Sequence, residues 1–119
     1  MRFHPEQHLR RQSDFRNLRE HGQRINLGLF TLWWLHRHDA KPQLRRVGLV
    51  ASIAAVGNAV QRNLAKRRLR ELFRRHQEIL PAGSDLLLVA RAAVSLQPFP
   101  LLEAKFTEAC RKIAALSHA

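Results

Sequence analysis

Apolar and polar positions alternate along the chain with periods that change from segment to segment. Residues 13–21 (SDFRNLREH) predict a short helix: Ser13 suits the N-cap, Asp14 the positive end of the dipole, and Gly22 the stop. Phe15 and Leu18, three apart, share one face of it. Residues 27–35 (LGLFTLWWL) are too aromatic and β-branched for a loop. They predict a strand with Phe30, Leu32 and Trp34 on one face and Leu29, Thr31 and Trp33 on the other. A polar connection over residues 36–43, interrupted by Pro42, leads to a second strand at 46–53 (RVGLVASI), expected antiparallel to the first.

The longest helix is predicted over residues 58–77, which contain no proline and no glycine after Gly57. Pro81 and Gly83 end that region, and residues 86–90 (LLLVA) read as a buried strand. A last amphipathic helix is predicted over 101–116, where Leu102, Phe106, Ala109, Ile113 and Leu116 recur at spacings of 4, 3, 4 and 3. There is no internal repeat, linker or low-complexity tract. Helix, strands, helix, strand, helix is the order of a single α+β domain of packed layers.

Charge changes this picture from a fold to a class of partner. The 119 residues include 21 Lys+Arg against 9 Asp+Glu, a net charge of +12, while 45% of positions are hydrophobic. A chain that can bury a core and still has a pI of about 11.7 carries its excess charge on a shaped surface. Nucleic acid is the commonest polyanion for such a surface, and anionic membrane is the rival. The single cysteine, Cys110, excludes an internal disulfide framework and a Cys-based zinc site. The N-terminus MRFHPEQHLRR has no apolar h-region, and the mostly apolar run 47–60 is shorter than the ~20 residues that span a bilayer. The expectation is a soluble cytoplasmic domain with no membrane contact.

Seven of the 21 basic residues lie in the 14 positions 62–75. On a helical wheel, Ala65, Leu69, Leu72 and Phe73 form an apolar arc of roughly 100°. Arg62, Lys66, Arg70 and Arg74 make a ridge at i,i+4, with Asn63 and Arg67 beside it and Arg68 and Arg75 on the opposite flank. Solvated helix faces usually mix signs, because like charges at i,i+4 each cost a few tenths of a kcal/mol, on the order of 0.2–0.5. An arginine-rich ridge that accepts this cost repeatedly points to nucleic-acid backbone.

The same residues carry a resemblance. The stretch GNAVQRNLAKRRLRELFRR, residues 57–75, is similar to the signature helix of the bacterial ribonuclease P protein subunit, through Ala59, Val60, Arg62, Asn63, Lys66, Arg67, Arg70, Glu71, Phe73 and Arg74. Other segments of that family's pattern follow in order: Asp14-Phe15 before Gly22, a strand with Phe30 and Trp33, Arg46-Val47-Gly48-Leu49, and Asp85 to Arg91 as D-x-x-x-x-A-R. The resemblance covers about residues 9–116. The chain departs from the pattern at Leu64, where the family has an arginine, and at Ala51-Ser52-Ile53-Ala54, where two lysines are missing. It departs again at Arg19, where a second aromatic is common.

The resemblance implies an α-β-β-β-α-β-α sandwich with a mostly antiparallel sheet and a left-handed βαβ crossover. A fourth short strand is implied near residues 24–27 or 51–55. It also implies a role as protein subunit of ribonuclease P, in an endonucleolytic removal of the 5′ leader from precursor tRNA that is catalysed by an RNA subunit. Mg²⁺ is implied as the cofactor, bound mainly by that RNA, with no catalytic residue on the protein. The RNA-docking residues implied are Asn58, Arg62, Asn63, Lys66, Arg67, Arg70 and Arg74. The leader cleft is implied at Phe15, Arg19, Trp33 and Ser52. On chemistry alone Phe15 serves equally as a core residue or as a stacking platform for single-stranded RNA, while Trp33 favours the cleft, because Trp34 can serve the core on the other strand face. Arg10, Arg11, Arg16, Arg45 and Arg46 are further candidates for the leader and nearby phosphates.

Three other readings compete. A ribosomal-type structural RNA-binding protein would share the charge but not the whole motif order. An independent nuclease would need clustered carboxylates or a His pair, and the nine acids are scattered, while His36 and His38 merely flank Arg37. A helix-turn-helix DNA binder would need a partner helix where strands flank the basic helix, so DNA is not expected.

Overall fold

The chain begins, in the computed structural model, with an arm that runs along the outer edge of a sheet; residues 3–37 and 44–117 are described. Most of the polar connection expected at 36–43, including His38 and Pro42, lies outside the described residues. After a 3₁₀ turn at Pro5–Gln7 come helix α1 (Gln12–His21) and strands β1 (Gln23–Asn26), β2 (Phe30–His36) and β3 (Arg46–Val50). Helices α2 (Ile53–Val56) and α3 (Ala59–His76), strand β4 (Ser84–Ala90) and helices α4 (Ala93–Leu96) and α5 (Phe99–Ser117) complete the order.

The sheet order is β1-β2-β4-β3, which corrects the expected pairing of the second strand with the first. Strand β4 lies between them, antiparallel to β2 with Phe30 opposite Ala90 and parallel to β3 with Arg46 opposite Asp85. The reason is in its side chains: Leu86, Leu87 and Leu88 are all fully buried, and only an interior strand covered on both faces can bury consecutive leucines. The sheet is mixed, mostly antiparallel, as implied.

Two strand boundaries also move. The apolar run 27–35 is broken by Gly28, whose φ of 82° turns the chain so that β1 and β2 form a hairpin, Gln23 opposite Trp34. The Asn26 side chain accepts from the Gly28 amide at 2.9 Å. The implied fourth strand is therefore β1. The other place suggested for it, 51–55, is instead the helical turn α2, with Ser52 as its N-cap. Strand β3 stops at Val50, not at residue 53.

Helix α1 starts at Gln12 with Arg11 at the N-cap position and no side-chain cap, so Ser13 lies inside the first turn. Gly22 ends it without a left-handed conformation: its φ is −84°. A Cβ there would meet the Leu18 carbonyl oxygen and come within 2.8 Å of the Trp34 carbonyl oxygen, so the glycine permits the close pass of α1's end over β2. Helix α3 is entered through a reciprocal cap, in which Asn58 Oδ1 accepts from the Gln61 amide and Gln61 Oε1 from the Asn58 amide.

The two faces of the sheet are unequally covered. Phe30, Leu32, Trp34, Val47, Leu49, Leu86, Leu88 and Ala90 face one core with Ala65, Leu69, Leu72 and Phe73 of α3 and Leu102, Phe106, Ala109 and Ile113 of α5. Among the described residues, the opposite face is covered by the short α1 and by Leu9 of the arm, with Leu9, Leu18 and Leu87 buried. Phe15, Trp33, Leu35, Val50 and Val89 are left partly open there.

The N-terminal arm closes the β3 edge. The Leu9 amide donates to the Val47 carbonyl at 2.8 Å, and the Gln7 carboxamide donates to the Arg45 carbonyl and to Gln77 Oε1. Phe3 meets Phe73 edge-on at 5.7 Å. Asp85, 5% exposed, ties the strand ends together by accepting from Arg37 Nε and from Nε and Nη2 of Arg46.

Candidate nucleic-acid interface

The fold divides the cations into two populations. Arg37 and Arg46 are spent on Asp85, Arg45 donates to the Leu80 carbonyl, and Arg68 donates to the carbonyls of Val94 and Gln97. Arg91 donates to the Gly28 carbonyl, Arg75 lies 5.0 Å above the Phe99 ring, and Arg74 and Arg75 both hold Glu71. The side chains of Arg62, Lys66, Arg67 and Arg70 have no hydrogen bond or ion pair among the described residues. The buried Nε of Arg62 is an orphan donor, a group that normally costs free energy until an acceptor arrives.

These four lie between residues 62 and 70 of α3, beside the buried arc Ala65, Leu69, Leu72 and Phe73, with Arg62 at the border of that arc. Asn63, Lys66, Arg67 and Arg70 line one shallow depression together with Val60 and Leu64. The arm brings His8 beside this ridge. Burial first, then the charges of Arg10, Arg70 and Lys66, push its imidazole below the ordinary value, so it is neutral at pH 7. Sequence reasoning missed His8, because nothing local marks residues 8 and 9 as an added edge on β3.

The expected docking residues are not all alike. Asn58 is the cap of α3, its side chain engaged in starting the helix. Arg74 is set apart from the ridge by Glu71, whose Oε2 accepts from its Nε at 2.9 Å. The two arginines hold the Glu71 carboxyl down to about 2. Of two more arginines considered for phosphate contact, Arg46 holds the strand ends together through Asp85 and Arg45 donates to the Leu80 carbonyl.

On the open face of the sheet, Phe15 of α1 and Trp33 of β2 belong to one apolar cluster, half-buried. The Phe15 ring occupies the space above Gly48, where a Cβ would collide with it. Trp34 points to the other face, with its indole Nε1 donating to Ser84 Oγ at 3.0 Å, so the core does not need Trp33. Arg19 is exposed one turn beyond Phe15. Ser52 is exposed, its hydroxyl accepting from the Ala55 amide at the start of α2. Val50, Val89 and Leu35 join the cleft and were not singled out from the sequence, where they look like ordinary strand residues.

Several other reactive groups are engaged or inert. Glu103 takes His76 at 2.8 Å, Asp85 and Glu71 take arginines, and burial pushes the Cys110 thiol up to about 12. Among the described residues no three His, Cys, Asp or Glu side chains converge as a metal cage. Nor is any helix among them long and apolar enough to cross a membrane.

Comparison with known proteins gives a consistent answer. Residues 3–114 match the family model described as Ribonuclease P. The ribonuclease P protein component of Desulfatibacillum aliphaticivorans is 33% identical over 109 residues, covering 92% of this chain and 89% of its own length. That of Thermobifida fusca is 33% identical over 114 residues, covering 92% and 77%. Among solved structures, the RNase P protein from Thermotoga maritima superposes with a TM-score of 0.75 at 25% identity, over 89% of this chain and 96% of the other. The Staphylococcus aureus RNase P protein shares the fold, with a TM-score of 0.75 at 24% identity over 91% and 94%.

Proposed function

Because the chain belongs to the ribonuclease P protein family, we propose that it acts as the protein subunit of ribonuclease P in the cytoplasm. In this reading α3 docks on the catalytic RNA, and the cleft beneath α1 takes the single-stranded 5′ leader of precursor tRNA. The observation that carries the reading is the division of the cations. Of those on α3, Arg68, Arg74 and Arg75 are bonded within the protein, while Arg62, Lys66, Arg67 and Arg70 are left without partners among the described residues.

Physical chemistry assigns each surface a task. Bringing a charged leader to a charged RNA costs repulsion, and a cationic ridge placed between them offsets it, so less Mg²⁺ is needed. Partly open Phe15 and Trp33 provide flat faces for unpaired bases, at roughly 1–3 kcal/mol per stacked base. Arg19 is placed to meet the leader backbone. In this reading Mg²⁺, and with it the hydrolysis that frees the leader, belongs to the RNA. The protein's part is to bind, orient and screen.

Reconstitution tests this directly. Purified protein, a bacterial ribonuclease P RNA and a precursor tRNA are mixed at low Mg²⁺, and 5′ leader removal is followed. The protein is expected to accelerate the reaction well above RNA alone and to lose that effect as Mg²⁺ is raised. A folded protein that gives no stimulation contradicts the reading.

A further inference from the structure

The depression on α3 is apolar in the middle of a cationic surface. Val60 is 77% exposed and Leu64 is half-buried, and at i,i+4 they stand one turn apart on one face. Neither belongs to the core that α3 builds from Ala65, Leu69, Leu72 and Phe73. Asn63, Lys66, Arg67 and Arg70 complete the lining. The Asn63 carboxamide has no hydrogen-bond partner among the described residues.

An apolar pair flanked by three unpaired cations and an unengaged amide matches the chemistry of an unpaired nucleotide. A polyanion presents a flat apolar face only where a base has left its stack. Its flanking phosphates suit Lys66, Arg67 and Arg70, and an amide can donate to and accept from a base edge. A stretch of regular duplex backbone would leave Val60 and Leu64 facing sugar and phosphate, with their apolar area uncompensated. We propose that Val60 and Leu64 seat an unstacked base of the docked RNA, with Asn63 on its edge, so that Leu64 supplies an apolar contact where the family pattern has a cation. The inference rests on the RNA-docking reading above and deepens it.

The test measures affinity for a bacterial ribonuclease P RNA across a salt series, with circular dichroism confirming that each variant is folded. Leu64→Ala is expected to weaken binding about fivefold at every salt concentration, leaving the slope of log K against log salt unchanged. Arg67→Ala should flatten that slope by about one phosphate contact. Dimethyl sulfate probing should find an unpaired base protected by the wild-type protein and reactive with Leu64→Ala. If Leu64→Ala binds like wild type and Leu64→Arg binds more tightly with a steeper slope, the position is a vacated phosphate contact and the proposal is wrong. Arg62→Ala with Arg70→Ala separates the two failures. If that pair weakens binding while Leu64→Ala does not, only the base contact fails; if neither changes binding, docking through α3 fails as well.

Discussion

The ring of Phe15, on α1, fills the space that a side chain at Gly48, on β3, would occupy. The glycine thus sets how deeply the aromatic sinks into the open face of the sheet, and so how much of the ring stays open. Gly48→Ala forces the ring outward, at a cost of about 1–3 kcal/mol for overpacking. In a Phe15→Ala background that cost should largely vanish, which urea unfolding of the four proteins measures as a coupling energy. An equal cost in both backgrounds would show that the ring does not depend on the glycine.

Asp85 holds two arginines from neighbouring parts of the chain, with its own side chain 5% exposed against 20% for Arg37 and 28% for Arg46. Asp85→Asn leaves both guanidiniums without their anion and should cost about 3 kcal/mol in denaturant unfolding. Because neither arginine belongs to the docking ridge, the salt dependence of RNA binding should be unchanged in the folded fraction. A flatter salt dependence would place Arg37 or Arg46 at the RNA.

Glu71 is held down to about 2 by hydrogen bonds from Arg74 and Arg75. Its folded value lies below the usual 4.5, so the pairing adds stability above pH 4.5 and loses it as pH falls towards 2. The three side chains are a third or more exposed, so that contribution is small. Glu71→Gln should leave the melting temperature at pH 7 nearly unchanged and remove the anion that ties Arg74 at the end of the ridge, while Arg75, on the opposite flank, keeps Glu103 and the Phe99 ring. RNA affinity is then expected to rise and its salt dependence to steepen by up to one contact. A fall in affinity would mean that Glu71 poses Arg74 for the RNA.

Local patterns were legible and distant pairings were not. The wheel of α3 placed Ala65, Leu69, Leu72 and Phe73 inside and Lys66, Arg67 and Arg70 beside them, because a helix's faces follow from its own residues. The asymmetry of β2, with Trp34 in the core and Trp33 on the open face, followed from alternation in the same way. Strand order did not, since whether β3 borders β2 or β4 depends on which strand must be buried on both faces. The destination of Arg45 and Arg46 was hidden for a similar reason: the Asp85 that captures Arg46 is 39 residues away. Gly28 was a local signal overlooked, a glycine two residues after Asn26 inside an apolar run. The arm at Leu9 and the neutral His8 beside Lys66 and Arg70 have no local signature.

The account turns on one distinction, between cations the protein uses for itself and cations it leaves for RNA. Binding of a bacterial ribonuclease P RNA across a salt series tests it most directly, comparing Arg62→Ala with Arg70→Ala against Arg68→Ala. Arg68 sits on the same helix but donates to the Val94 and Gln97 carbonyls. The double variant should lose affinity and flatten the log–log salt slope by about 0.9 for each arginine, while Arg68→Ala keeps the wild-type slope. An unchanged slope in the double variant, or an equal flattening in Arg68→Ala, would contradict the account.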